Sequence, residues 1–410
     1  PATPAEHSLT DALATVLGVE QIGLNDSFFE LGGDSIRAIQ LVSRLGQQGL
    51  SLQVRDLFQA GSVRELAQRV EAGMPRVVGE RITGVVPLTP IQEWFFRENE
   101  HDRHHFNQAV LLTCSVRLEE PRLRQVFGKL VEQHDMLRAT FRQTSVGWCQ
   151  HVQKSAPLCV DVVDLRQVPD PTGAMEAHAS QTQASFDLSD GPLYRAVLYR
   201  LEDGDRLLIV IHHLLCDGIT WRILLEDLES GYRQSSKSLP IELAERTASY
   251  RQWAQSLQRF GESAQIRQHI DFWAAVDDMS PVEIPLDSDS TGVDNVYSKT
   301  ETAEVSLSEE ETHAFLSQPQ RVYRAEADVV LLAALGKALQ SWHGGDATRI
   351  LLESHGREPI EDQDLACFEA MLESADADLL AWFTGAVLPP EPRFGRMVKQ
   401  VLAHRLPPIQ

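Results

Sequence analysis

The chain has 410 residues, with 37 Lys and Arg against 59 Asp and Glu, so its formal net charge is −22. A chain this acidic has no basic surplus to neutralise phosphates, which excludes a nucleic-acid partner held by charge. Hydrophobic residues make up 43% and charged residues 23% of the chain, proportions that exclude a disordered protein.

Three short helical patterns occupy the beginning of the chain. Apolar residues recur at helical spacing over Leu9–Leu17, Ala38–Leu45 and Val63–Val70. Gly18 and Gly46 follow the first two runs and predict the ends of those helices. We therefore expect a small all-α domain.

The end of this first domain is marked by a change in composition. Ser62 and Glu65 predict a capping box in front of the third helix. Residues 1–73 then form the helical domain. Residues 74–85 mix Gly, Pro and charges without periodicity, which predicts a linker.

A glycine-containing segment, F-F-E-L-G-G-D-S-I over Phe28–Ile36, precedes the second helix. On physical grounds alone, Ser35 is more readily a helix N-cap than a modified residue. The start of the helix nevertheless presents backbone N–H groups and a positive dipole end, which suit a phosphodiester.

This segment resembles the carrier-protein motif L-G-G-[HD]-S of nonribosomal peptide synthetases, whose serine carries 4′-phosphopantetheine. The resemblance covers nearly all of residues 5–72. It implies a four-helix carrier bundle with Ser35 as the attachment site. Asp34 is typical of carriers that precede an epimerization domain.

From Val86 onward the pattern changes to mixed strands and helices. Ala109–Leu112 and Leu207–Ile211 are apolar runs of strand length, whereas Trp221–Tyr232 and Asp328–Trp342 have helical patterns. The sequence contains no fixed-period repeat, phosphate-binding glycine loop or dinucleotide fingerprint. Nothing in it indicates a nucleotide-dependent reaction.

The segment Ile211–Arg222 reads I-H-H-L-L-C-D-G-I-T-W-R. Adjacent residues of a strand point to opposite faces, so His212 and His213 are not expected to chelate one metal together. In the structural interpretation, one histidine is buried and the other is hydrogen-bonded to a loop carbonyl. In the functional interpretation, a neutral imidazole at the strand end acts as an acid or a base. We expect Asp217 to anchor the following turn by a salt bridge.

The spacing H-H-x-x-x-D-G resembles the signature of the condensation-domain superfamily of peptide synthetases. Five segments in chain order are similar to epimerization domains in particular. The implied fold is that of chloramphenicol acetyltransferase, an α/β domain of two lobes, here 86–255 and 256–410. The five segments are Pro87–Phe96, His105–Gln108, Asp217–Leu228, Thr247–Ala254 and Leu352–Glu358.

Epimerization inverts a Cα centre, so a proton must leave one face and another must return to the opposite face. A thioester carbonyl makes the Cα–H acidic enough for this exchange. The resemblance implies His213 and Glu353 as the two acid–base groups, with His212 and Asp217 supporting His213 and Arg357 supporting Glu353. Judged from the residues alone, Glu353 is equally well a salt-bridge partner of Arg357.

After Glu358 the similarity to epimerization domains weakens. The chain ends at Gln410 without the later segments of that family, so we expect an incomplete C-terminal end. Two alternatives stay open: a condensation domain, which would share His213 and Asp217 but not need Glu353, and an inactive docking module.

The resemblance also implies partners. The first is the chain's own carrier domain. An upstream adenylation domain, a downstream condensation domain selective for the D product and a phosphopantetheinyl transferase complete the set. Neither a metal, a nucleic acid nor a membrane is expected.

Cysteine usage and apolar runs bear on the compartment. The five cysteines form no C-x-x-C pair, which predicts reduced core thiols. The longest apolar stretch, near Val329–Leu335, is too short to span a bilayer. With no secretory signal and no initiator Met, we expect a cytoplasmic protein and a piece of a longer chain.

Overall fold

The computed structural model describes most of residues 3–352. The chain divides into two compact units, one of Pro1–Gln258 with Asp294–Lys299 and one of Arg259–Val293 with Thr300–Gln410. The description leaves out residues 20, 30, 34, 48–49, 53–55, 58–59, 73–78, 279–284, 286–300, 324–326, 346–347 and 353–410.

The first domain is helical, as predicted. Its described helices are α1 (Pro4–Leu17), α2 (Ser35–Gln47) and α3 (Val63–Arg69), and a short antiparallel pair joins β1 (Leu50–Ser51) to β2 (Glu71–Ala72). The apolar positions of the three helical patterns form one buried cluster. Asp56 and Leu57 are helical as well, and the residues next to them on either side lie outside the described ones.

Side-chain caps define where the helices of this domain begin. Thr3 Oγ1 accepts the Glu6 N–H at 3.1 Å, and the Glu6 carboxylate accepts the Thr3 N–H at 3.1 Å, which is a full capping box. Ser62 Oγ accepts the Glu65 N–H at 3.3 Å, as predicted. The Glu65 carboxylate accepts the N–H of Gly61 at 2.9 Å rather than that of Ser62, so the predicted box at α3 is only half formed.

The following domain contains two sheets flanked by helices. A four-stranded sheet has the order β4-β9-β8-β7, in which only β7 and β8 run parallel, and a three-stranded sheet has the order β3-β6-β5. The strands are β3 (Gly84–Val86), β4 (Asn107–Cys114), β5 (Ala139–Thr144), β6 (Gly147–Val152), β7 (Val160–Asp164), β8 (Tyr194–Leu201) and β9 (Gly204–His212). The helices are α4 (Pro90–Glu98), α5 (Glu120–Gln133), α6 (Pro171–Gln183), α7 (Gly218–Ser236) and α8 (Tyr250–Gly261).

The two predicted strands are confirmed, since Ala109–Leu112 lies within β4 and Leu207–Ile211 within β9. The helix predicted over Trp221–Tyr232 is confirmed within α7. Helices α5 and α7 approach closely at Gly231, where an added Cβ would lie 3.0 Å from a methyl carbon of Val126. Large apolar side chains such as Trp94 and Trp221 are expected in the core from the sequence alone. This expectation is confirmed for Trp221, which is buried, and wrong for Trp94, which is 39% exposed. Trp94 lies on α4, whose buried positions are Phe95, Phe96 and Gln92.

The predicted linker over residues 74–85 extends too far. Ile82 is buried in the core of the second domain, and Gly84–Val86 forms β3, which pairs with β6. Arg138, itself buried, donates to the Ile82 carbonyl at 3.2 Å. A three-residue strand is too short to show a period, which is why composition alone indicated a linker here.

The described secondary structure of the second unit consists of helices. They are α9 (Ala264–Gln268), α10 (Ile270–Asp278), α11 (Glu309–Tyr323) and α12 (Ala327–His343). Helix α12 confirms the helix predicted over Asp328–Trp342. Among the described helices, none combines the length and the apolar character that a membrane crossing requires.

A buried carboxylate secures the turn between β8 and β9. Asp205 has a fully buried side chain and accepts from Arg117 at 2.7 Å, from the Leu118 N–H at 2.8 Å and from Arg200. Burial acts to raise the pKa of Asp205, but these hydrogen bonds and charges outweigh it, and the net pKa is lowered. The folded protein therefore favours the ionised form of the Asp205 carboxylate.

Replacing Asp205 with Ala should lower the free energy of unfolding by about 3 kcal/mol, because two arginines then lose their buried partner. Urea unfolding at pH 7 measures the change. Asp203→Ala is the matched control, since Asp203 pairs with Arg206 at a side chain that is 68% exposed. It should change stability by less than about 0.5 kcal/mol. Equal effects of the two variants would contradict the role given to Asp205.

Candidate active site

His212 ends strand β9 and is fully buried. Its Nδ1 accepts the Leu214 N–H at 3.2 Å, so Nε2 carries the proton and donates to the Arg103 carbonyl at 2.8 Å. Burial lowers the pKa of His212 to about 4, with neighbouring histidines acting in the same direction. Both nitrogens are therefore engaged in a neutral ring, and His212 supports the backbone around the site.

His213 begins the turn between β9 and α7 and is half-buried. Its backbone N–H donates to the Phe106 carbonyl at 2.7 Å, and the Phe106 ring stacks on the imidazole with centroids 5.2 Å apart. The Nδ1 atom lies 2.8 Å from the Cys216 carbonyl, to which it donates. The Nε2 atom is thereby left as the ring nitrogen with a lone pair.

Asp217 is the N-cap of α7. Its carboxylate accepts the backbone N–H and the hydroxyl of Thr220, both at 2.6 Å. It thus anchors the turn after His213 as a helix cap, and the predicted salt bridge of Asp217 stays a prediction.

Four of the five segments that carry the resemblance meet around this turn. Gln92 donates to the Leu214 carbonyl at 3.5 Å, and Gln108 contacts both His213 and Trp221. Behind them, the Thr89 hydroxyl lies 3.2 Å from the hydroxyl of Tyr250. The segments are therefore neighbours in the fold although they are far apart in sequence.

Gln108 is a functional candidate to which the sequence analysis gave no role. It lies on β4 opposite Ile211 of β9, and its amide reaches His213 Nε2 at 3.3 Å. Its signal in the sequence was its place in His105–Gln108, one of the five segments similar to epimerization domains. Recognising its partner required the register of the two strands, which the sequence does not show.

The serine of the first domain stands at a helix start. Helix α2 begins at Ser35 and has no acidic residue in its first turn. Gly32 has φ +89°, and an added Cβ at Gly33 would lie 2.5 Å from the Phe28 ring, so both glycines are required by the turn. A serine at the positive end of a helix, without acidic residues on that turn, fits a phosphodiester.

Two predicted site residues, Glu353 and Arg357, lie outside the described residues. Among those described, no group of three or more His, Cys, Asp or Glu side chains could hold a metal ion. The structure thus brings together His212, His213 and Asp217, and leaves the pairing of His213 with Glu353 as a prediction.

Comparison with known families identifies the class. Residues 82–367 match the model of the condensation domain, and residues 7–70 match that of the phosphopantetheine attachment site. The chain belongs to the condensation-domain family of nonribosomal peptide synthetases. A carrier domain precedes the condensation-type domain in the same chain. Such a carrier domain holds 4′-phosphopantetheine covalently on a serine.

Relatives and solved structures agree with this class. The chain is 39% identical over 369 residues to a linear gramicidin synthase of Brevibacillus parabrevis, and 37% identical over 366 residues to a plipastatin synthase of Bacillus subtilis (strain 168). These matches cover 88% and 87% of this chain but only 7% and 14% of the relatives.

Among solved structures, the epimerization domain from the third module of tyrocidine synthetase B is 34% identical, with a TM-score of 0.65. That match covers 70% of this chain and 66% of the other. The first condensation domain of the calcium-dependent antibiotic synthetase is 17% identical with a TM-score of 0.52, a likeness of fold alone. The predicted chloramphenicol-acetyltransferase-like fold after a carrier is thus confirmed.

The state of His212 generates a prediction about stability. The pKa of about 4 in the folded protein lies below the ordinary value of 6.5, so the unfolded chain binds the proton more tightly. This contribution to stability is complete above pH 6.5 and is lost as the pH falls towards 4, by about 3 kcal/mol in all.

Urea unfolding between pH 7 and pH 5 tests this expectation. His212→Gln removes the titrating group and should flatten the decline of stability with falling pH. His101→Gln, at an exposed position, should keep the decline of the parent. The account of His212 is contradicted if His212→Gln declines as steeply as the parent.

Proposed function

We propose that this chain epimerizes the Cα centre of an aminoacyl or peptidyl thioester held on its own carrier domain. The observation that carries the proposal is the likeness to a solved epimerization domain, at 34% identity over 70% of this chain. Support also comes from the carrier domain in the same chain, because it supplies the attachment site for such a substrate.

His213 is the proposed acid–base group on one face of the Cα centre. The Cys216 carbonyl takes up the proton on Nδ1, which leaves the Nε2 lone pair to remove or return the Cα proton. Such a group typically contributes about 10²–10⁴-fold to the rate. His212 and Asp217 hold the strand end and the helix start on either side of it.

Glu353 is the proposed acid–base group on the opposite face, with Arg357 supporting its carboxylate. These two roles rest on the resemblance of Leu352–Glu358 to epimerization domains. Two groups on opposite faces account for inversion, because each face then has its own proton donor and acceptor.

Ser35 is the proposed attachment serine, since it occupies the serine position of the carrier motif at the start of α2. The bound 4′-phosphopantetheine would present the acyl group as a thioester, whose carbonyl acidifies the Cα–H. Gly32 and Gly33 shape the turn that precedes the start of the helix.

The proposed partners follow from this reaction. An upstream adenylation domain would supply the L-aminoacyl group, and a phosphopantetheinyl transferase would modify Ser35. A downstream condensation domain selective for the D configuration would take the product. Peptide synthetases are the relatives that this chain matches.

Removing either proposed acid–base group should slow epimerization strongly. The carrier is loaded with a panel of L-aminoacyl-pantetheines, the thioester is cleaved and the D fraction is measured by chiral chromatography. His213→Gln and Glu353→Gln should each slow the appearance of the D form by about 10²–10⁴-fold. His101→Gln should match the parent, and Ser35→Ala should accept no acyl group.

The same variants separate the competing functions. If the parent joins two carrier-bound acyl groups and Glu353→Gln leaves the rate of that joining unchanged, the chain is a condensation enzyme. If the parent carries out neither reaction with any acyl group, the proposed function is wrong.

A further inference from the structure

The amide of Gln108 connects two side chains of the candidate active site. Its Oε1 lies 2.8 Å from Trp221 Nε1, and its Nε2 lies 3.3 Å from His213 Nε2. We propose that Gln108, oriented by Trp221, is a positioning residue that selects the His213 tautomer with the lone pair on Nε2. This inference rests on the proposed function for its importance, and its test does not depend on activity.

The direction of the amide follows from the chemistry of indole. Trp221 Nε1–H is a donor only, so it faces the oxygen of Gln108. The Cys216 thiol, 3.6 Å from the same oxygen, is a second donor to it. With the oxygen turned to these two groups, the NH₂ end of the amide faces His213.

The direction of the amide determines which nitrogen of His213 carries the proton. An NH₂ group can only donate, so the His213 Nε2 atom opposite it must accept. At the other end of the ring, the Cys216 carbonyl can only accept, so Nδ1 carries the proton. The two ends of the ring independently specify the same tautomer.

The arrangement also opposes a second proton on the ring. An Nε2–H on His213 would face the NH₂ group of Gln108, donor against donor. Rotation of the amide would relieve this contact but would break the 2.8 Å bond from Trp221. At 3.3 Å the hydrogen bond from Gln108 to His213 is long and therefore weak, so the Nε2 lone pair can still accept a proton.

The titratable groups around this imidazole come from three segments of the described chain. His212 precedes it at the end of β9 and itself lies near His104 and His105 before β4, and Cys216 and Asp217 follow it in the turn before α7. The variants below keep all of them. Any change in the protonation of His213 therefore reports on the Gln108–Trp221 pair.

The direct test is nitrogen NMR of the full chain with ring-¹⁵N-labelled histidine, with His213 assigned by its loss in His213→Gln. The parent at pH 7 should show a protonated Nδ1 and an unprotonated Nε2. In Gln108→Glu a carboxylate oxygen faces Nε2, so both ring nitrogens should be protonated at pH 7. Trp221→Phe removes the shorter of the two hydrogen bonds to the Gln108 oxygen and should raise the fraction of the tautomer protonated at Nε2.

Gln143→Glu is the matched control, because it makes the same change at an exposed position on β5. Its His213 signals should equal those of the parent. The proposal is overturned by a parent with a protonated Nε2 and an unprotonated Nδ1. It is also overturned if Gln108→Glu keeps the parent signals. The same holds for Trp221→Phe: parent signals in that variant would show that Trp221 does not orient the amide.

Kinetics give a second readout if the parent epimerizes. Gln108→Glu should lower kcat at pH 7 by about 10²-fold and move the acidic limb of the pH–rate profile up by about one to three pH units. Gln143→Glu should retain the parent profile. A lower kcat with an unmoved profile would mean a purely structural role. An inactive parent would refute the proposed function while leaving the NMR result to decide on Gln108.

Discussion

The candidate active site depends on the antiparallel pairing of β4 with β9. This ladder sets Asn107 opposite His212 and Gln108 opposite Ile211. One residue beyond it, the N–H of His213 still donates to the Phe106 carbonyl at 2.7 Å. A slip of one residue would turn Gln108 to the other face of the sheet. The register is therefore what allows a side chain of β4 to meet the histidine after β9.

Burial gives the two adjacent histidines different roles. His212 lies under the loop that contains Arg103, with both ring nitrogens hydrogen-bonded, and desolvation keeps it neutral. His213, one residue later, has left the strand for a short turn and is half-buried. The same residue type thus supports the backbone in one position and presents a lone pair in the next.

Much of this arrangement was accessible from the sequence. Apolar runs of strand length predicted β4 and β9, and the H-H-x-x-x-D-G spacing led to His213 and Asp217. Such signals are local, and they depend on periodicity or on a short motif. The cap that Asp217 forms stabilises the turn that the sequence predicted it to anchor.

What the sequence did not reveal involves contacts between distant segments. The role of Gln108 depends on Trp221, 113 positions later in the chain. The second domain begins before residue 86 because Ile82 packs into a core built mainly from later residues. Trp94 is exposed because α4 packs through its other positions, a choice that composition cannot predict.

The central claim is that the chain exchanges the Cα proton of an acyl group on Ser35. The most direct measurement is a single turnover in deuterated buffer, starting from the L-aminoacyl carrier and analysed by mass spectrometry after chiral separation. The account predicts one deuteron at Cα in every D product formed. An acyl group that stays L and unlabelled, for every amino acid loaded, would contradict it.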